Sequence, residues 1–149
     1  MGFKVSDIKK IGVVTSTYNE PVIRELQSGA LNQLESLGFV DAQIKNIEVP
    51  GAYEIPLAAQ WLLQSGCEAV LCLGAVIRGE TTHYVYVCNA VERGCSELQL
   101  KNNVPVVFGV LTTENKEQAF DRLGGKKGHK GKDCAQTLYD MMCLKKSIL

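Results

Sequence analysis

The run Gly74-Ala-Val-Ile-Arg-Gly-Glu-Thr-Thr-His83 holds the residues best suited to chemistry in this chain. An apolar segment ends in an Arg-Gly turn, two threonines and a histidine, and a helix-like segment follows at once. Unpaired backbone N–H groups at such a junction, with the positive end of the helix dipole, suit an anion such as phosphate. His83, about one turn further on, can exchange protons near neutral pH. An anion cradle beside a proton shuttle points to chemistry on a phosphorylated small molecule.

Other candidate groups are ambiguous taken singly. Tyr18, just ahead of a helix, reads either as packing or as a stacking platform. Glu54 falls in the first turn of a helix, where the dipole favours an acid in any case. Arg122 near a helix C-terminus is favoured by the same electrostatics and reads equally as a surface arginine. Lys126, Lys127, Lys130 and Lys132, with His129 among them, read as a solvated loop. Two distant histidines and six scattered cysteines give no zinc spacing, so no metal is expected. Neither G-x-G-x-x-G nor G-x-x-x-x-G-K-[ST] occurs, and no G-x-S-x-G elbow is present.

Alternating strands and helices must position these groups. Lys10 to Ser16 is a short apolar run that predicts a buried strand. Tyr18-Asn19-Glu20-Pro21 opens a helix in which Asn19 or Glu20 can cap and Pro21 fits the first turn. Ile23, Leu26, Ala30, Leu34 and Leu37 keep helical spacing until Gly38 stops it. Ala42 to Val49 predicts a second strand and Tyr53 to Gln64 a second helix. Ala69 to Val76 predicts strand three, followed by a helix from about Thr82 to Leu100. Val104 to Leu111 reads as strand four, because Pro-Val-Val-Phe disfavours helix. Thr112 to Leu123 and Lys132 to Lys145 read as two last helices split by a Gly- and Lys-rich loop.

This order predicts an α/β fold: a four-stranded parallel sheet in a three-layer αβα sandwich of flavodoxin-like order. The strand ends at Thr17-Tyr18-Asn19, Pro50-Gly51-Ala52, Arg78-Gly79 and Thr112-Thr113 should gather along one edge, where such sheets bind ligands.

Composition narrows the class. At 149 residues the expectation is one domain with a real core. Acidic and basic side chains balance at 16 each, and no basic face or run suggests nucleic acid. Every apolar stretch is interrupted too early to span a membrane. Cys67, Cys72, Cys88, Cys95, Cys134 and Cys143 form no C-x-x-C pair, so free, mostly buried thiols in a cytoplasmic protein are expected. Met1-Gly-Phe-Lys-Val-Ser6 has the format of an N-myristoylation site, but a charged, ordinary domain start follows, and no signal peptide is expected.

Four stretches together resemble one family. They are Val49-Pro-Gly-Ala-Tyr-Glu-Ile-Pro56; Leu73-Gly-Ala-Val-Ile-Arg-Gly79 with Thr82-His83-Tyr84; Pro105 to Thr113 with Glu117-Gln-Ala119; and Arg122 through Lys130-Gly131. In order and spacing, over nearly the whole chain, they look like 6,7-dimethyl-8-ribityllumazine synthase. The resemblance implies an enzyme of riboflavin biosynthesis without cofactor or metal. Its two small-molecule substrates would be 5-amino-6-(D-ribitylamino)uracil and 3,4-dihydroxy-2-butanone 4-phosphate. It also implies substrate-binding roles: Tyr18 stacking on the pyrimidine, and Ala52, Tyr53, Val76 and Ile77 framing the uracil. Asn19 is included in the substrate set, and Glu54 would accept hydrogen bonds from the ribityl hydroxyls. Glu80 and Thr81 would lie at the phosphate turn, with Arg122 clamping the phosphate and Asp133 orienting Arg122. His83 would be the catalytic acid/base, and a neighbouring subunit would contribute Phe108 and Lys130.

The resemblance further implies a homo-oligomer with sites at subunit interfaces, as a pentamer, a dimer of pentamers or an icosahedral shell, and an association with riboflavin synthase. The Gly124-to-Gly131 loop has the length of shell-forming members. Several positions depart from the usual pattern: Tyr18 for Phe or Trp, Val85 and Ala90 where acids are common, and Lys127 and His129 in the loop. Glu80 must point away from a bound phosphate to avoid like-charge repulsion. Two other readings were weighed. One is an archaeal-type riboflavin synthase, disfavoured by Thr81-Thr82-His83 and the Arg122 to Lys130 loop. The other is a non-catalytic module of flavodoxin shape, such as a flavin carrier or a receiver. A receiver would want clustered acids where Thr17-Tyr18-Asn19 and Arg78-Gly79 stand.

Overall fold

Apolar residues alternate in two sets along the central strands, and the architecture follows from where each set goes. The structure is a computed structural model that describes residues 3–149. Met1 and Gly2, on which the myristoylation format depends, lie outside the described residues. Strands β1 (Ile11–Ser16), β2 (Ile44–Val49), β3 (Val70–Ile77) and β4 (Val106–Thr113) form one parallel sheet in the order β2-β1-β3-β4. Helices α1 (Glu20–Ser36), α2 (Ile55–Gln64), α3 (His83–Asn102), α4 (Lys116–Asp121) and α5 (Lys130–Ile148) complete three layers. This is the flavodoxin-like order that the sequence pattern predicts.

Each sheet face has its own core. Ile11 and Val13 of β1, Leu71, Leu73 and Ala75 of β3, and Val107 and Leu111 of β4 bury against α1, α4 and α5. Val14, Val70, Cys72, Val76, Val106 and Val110 point the other way, against α2 and α3. The period of two puts successive side chains on opposite faces, and helices cover both. Burial of each large apolar side chain contributes roughly 1.5–3 kcal/mol. On the helix side, Val22, Ile23, Leu26, Ala30 and Leu34 form the buried stripe of α1, and Gly38, with φ at 104°, lies just past its end.

Two glycines set how closely α1 and α5 approach. A Cβ on Gly131 would collide with the Leu26 carbonyl of α1 and come within 3.0 Å of the Ala30 nitrogen. A Cβ on Gly29 would enter the His129 ring. At Gly131 the contact is with backbone and excludes any side chain, whereas at Gly29 it is with the imidazole ring.

The last third of the chain differs from its prediction. Thr112 and Thr113 do not start a helix: they extend β4, pairing with Val76 and Ile77 of β3. β-branched threonines suit the strand. The helix waits for Asn115, whose Oδ1 accepts the Gln118 N–H at 2.8 Å while Gln118 Oε1 accepts the Glu114 N–H at 2.8 Å. The Gly- and Lys-rich loop contains a small antiparallel hairpin, β5 (Leu123–Gly125) with β6 (Gly128–His129). His129 is half-buried against α1 and not exposed, and its Nδ1 caps α5 by accepting the Lys132 N–H at 3.3 Å.

Candidate active site

The C-terminal ends of the strands converge as parallel topology requires. Beyond Ser16 the β1–β2 ladder continues, with Thr17 N–H donating to the Val49 carbonyl at 2.9 Å and Tyr18 N–H to the Pro50 carbonyl at 3.2 Å. These bonds bring Tyr18 beside the Gly51-Ala52-Tyr53-Glu54 turn. That turn is a short 3-10 segment, Ala52–Glu54, running directly into α2. Beyond β3 the chain leaves the sheet at Arg78, whose N–H donates to the Thr113 carbonyl at 2.8 Å, and reaches α3 at His83.

Between these turns lies a cleft of about 500 Å³, lined by Tyr18, Asn19, Ala52, Tyr53, Glu54, Val76, Ile77, Thr81 and His83. A volume of this size takes a small-molecule ligand. Tyr18 and Tyr53 are 73% and 65% exposed, which leaves aromatic surface open to a flat ligand. The carboxylate of Glu54 and the imidazole of His83, both exposed, belong to the same cleft. The backbone N–H groups of Gly79, Glu80, Thr81 and Thr82 have no intrachain acceptor among the described residues. The His83 N–H donates to Thr81 Oγ1 at 3.3 Å. Donors at a helix start, next to an imidazole, can hold an anion and move protons.

Glu80 is exposed and is not among the cleft-lining residues. The turn that carries it is braced from outside. The Arg78 guanidinium lies 5.6 Å from the centre of the Tyr84 ring, and its Nε is 3.6 Å from Glu114 Oε2. Burial raises the Tyr84 phenol above its ordinary pKa, with Cys88 adding to the shift. Tyr84 and Val87 also line the cleft, although neither was singled out as a site residue. Val87 was legible in principle, since it follows His83 by four residues and shares its helical face.

Three expected residues lie elsewhere. Phe108 and Lys130 line a separate hollow of about 350 Å³ with Glu92, Gln99 and Thr137. Arg122, past the end of α4, turns its Nη1 back to the Gln118 carbonyl at 2.8 Å. Within one chain these three are not part of the Tyr18–His83 cleft. No ion pair joins Asp133 and Arg122 among the described residues. Asp133 sits in the first turn of α5, where the helix dipole already favours an acid. Asn19 does not cap α1 with its side chain; its Nδ2 donates to the Ala75 carbonyl at 3.3 Å instead.

No group of three or more His, Cys, Asp or Glu side chains placed to hold a metal occurs among the described residues. Among the described residues no helix is long and apolar enough to cross a membrane. Comparison with known proteins is consistent along the chain. A family described as 6,7-dimethyl-8-ribityllumazine synthase matches residues 9–146. The protein of that name from Coxiella burnetii is 51% identical over 140 residues, covering 93% of each chain. Its namesake from Cytophaga hutchinsonii is 50% identical over 132 residues, covering 88% of this chain and 83% of the relative. The one from Bdellovibrio bacteriovorus is 48% identical over 139 residues, covering 93% and 76%.

Proposed function

This chain belongs to the 6,7-dimethyl-8-ribityllumazine synthase family, and we propose that its Tyr18–His83 cleft carries out that family's reaction. The enzyme condenses 5-amino-6-(D-ribitylamino)uracil with 3,4-dihydroxy-2-butanone 4-phosphate, giving the lumazine, phosphate and water. The observation that carries the site assignment is the meeting of aromatic rings, a carboxylate, free N–H donors and a histidine in one cleft. Tyr18 stacks on the pyrimidine, while Ala52, Tyr53, Val76 and Ile77 frame it. Glu54 accepts hydrogen bonds from the ribityl chain. The Gly79-to-Thr82 turn, with Thr81, receives the phosphate.

The chemistry asks little beyond positioning. The 5-amino group attacks the ketone carbon, and loss of water leaves an imine. Phosphate is eliminated from the adjoining carbons, the enol left behind becomes a ketone, and the ribityl-bearing nitrogen adds to that carbonyl and closes the second ring with loss of a second water. Both partners are reactive already, so holding them together supplies much of the acceleration. His83 takes and returns the protons of these steps. The departing phosphate gathers charge, and fixed N–H donors and a guanidinium stabilise it.

The single-chain cleft has the histidine and the pyrimidine platform but no arginine or lysine. A phosphate site without a cation is incomplete. A neighbouring subunit supplies Arg122, Lys130 and Phe108 in a cytoplasmic homo-oligomer, built as a pentamer or as a shell of pentamers. An association with riboflavin synthase, which consumes the lumazine, belongs to the same reading. Incubating the protein with both substrates should give the lumazine chromophore, and omission of either should abolish it. Conversion of added lumazine to riboflavin, with none formed from the two precursors, would identify the riboflavin synthase reaction instead.

A further inference from the structure

Asn19 and Asn103 are the two non-glycine residues with positive φ among the described residues, at 71° and 56°. Asn103 ends α3, where a left-handed residue is common. Asn19 begins α1, where the preceding residue is normally extended. A strained backbone at a cleft wall calls for something that holds it there. Two bonds do so. The Asn19 carbonyl accepts the Ile23 N–H at 3.1 Å, and the side-chain Nδ2 donates to the Ala75 carbonyl at 3.3 Å.

The second bond falls at a break in the sheet. The β1–β3 ladder ends at Thr15 and Leu73, so beyond it Ala75 meets no β1 strand partner. The Asn19 amide takes over there and ties the β1–α1 turn to the last residues of β3. Ala75, Val76, Ile77, Tyr18 and Asn19 all line the cleft. We infer that Asn19 is a positioning residue: its left-handed backbone and its amide bond to Ala75 together hold Tyr18 and the Val76-Ile77 edge in register around the pyrimidine. This inference rests on the pyrimidine site proposed above. It assigns the amide to the protein and not to the ligand.

Three variants separate the roles. Asn19→Gly keeps the positive φ and deletes the amide. Asn19→Asp also tolerates that backbone but sets a carboxylate against the Ala75 carbonyl. Asn19→Ala loses both features. With wild-type turnover established first, kcat and KM for each substrate and the melting temperature are measured for all three. Asn19→Gly should melt within a few degrees of wild type and lose about three- to tenfold in kcat/KM for the pyrimidine, the range of one partly buried hydrogen bond. Its KM for the ketone phosphate should not move. Asn19→Asp should fall below Asn19→Gly, and Asn19→Ala should also fall below it. Wild-type behaviour of Asn19→Gly would overturn the inference. So would Asn19→Asp outperforming Asn19→Gly, which would place an acceptor on the ligand, or equal losses toward both substrates. If wild type makes no lumazine, the reaction assignment fails separately. The same ranking of variants is then read from calorimetric affinity for ribitylaminouracil.

Discussion

His83 stands at the first position of α3 with its side chain open to the cleft and no carboxylate partner among the recorded ion pairs. Nothing in its surroundings makes it structural, so its removal should leave the fold and the pocket in place. His83→Ala should bind a substrate analogue nearly as well as wild type. Its kcat should fall toward the lower half of the roughly 10²–10⁴-fold range of a general acid–base group, because positioning survives. A kcat unchanged from pH 5 to pH 9 would remove His83 from the mechanism. Arg122 allows a second test at this scale. Charge-assisted bonds contribute about 1.5–3 kcal/mol, so Arg122→Ala should raise KM for the ketone phosphate by an order of magnitude or more. Its affinity for the ribitylaminouracil should hardly change, and a loss mainly on the pyrimidine side would contradict the phosphate assignment.

Among the elements, the α1–α5 contact is the least tolerant. Gly131 faces the Leu26 carbonyl and the Ala30 nitrogen, both backbone atoms that cannot rotate away. Gly131→Ala should therefore destabilise the protein by about 1–3 kcal/mol, the usual cost of overpacking, even though alanine is the better helix former. A denaturation midpoint equal to wild type would show that the helices can separate freely. Because α5 begins at Lys130, whose N–H donates to the Arg122 carbonyl at 2.7 Å, the same substitution should weaken phosphate use as well. The hairpin that joins these residues has no local signature in the sequence. Its strands are three and two residues long, too short for any periodicity, and Gly and Lys carry no strand preference. Thr112 and Thr113 were likewise read as helix, because only pairing with Val76 and Ile77 identifies them as strand.

Two expectations concern the whole molecule. Phe108, Arg122 and Lys130 lie outside the Tyr18–His83 cleft of their own chain. Co-assembly of an Arg122→Ala chain with a His83→Ala chain should therefore restore part of the activity that each lacks alone. No recovery in a confirmed mixed oligomer would mean that each site is built within one chain. The six cysteines are all free, and Cys67, Cys72, Cys95 and Cys134 are buried while Cys88 and Cys143 are half-buried. Burial pushes the Cys67, Cys88 and Cys134 thiols alike above their ordinary pKa, so access and not acidity orders their reactivity. A thiol reagent should therefore label Cys88 and Cys143 first and reach the other four only on unfolding. Rapid labelling of all six in the native protein would contradict this core.

The sequence by itself determined the layers, the parallel sheet and most of the cleft. Those features depend on local patterns and on turns: the unbroken apolar run Val70–Ile77, the stripe from Val22 to Leu34, and the Gly79-to-His83 junction are each written in contiguous residues. The tertiary structure decided what depends on residues far apart in the chain. Asn19 looked like a helix cap because capping is a local habit, yet its amide binds Ala75, 56 residues away, where the β1–β3 ladder has run out. Nothing local to Gly131 or Gly29 shows what a Cβ would meet there, because the obstacles come from packing α5 and the residue before it against α1. Short-range preferences of the backbone can be read along a sequence, but which donor meets which acceptor is set only when distant strands and helices pack.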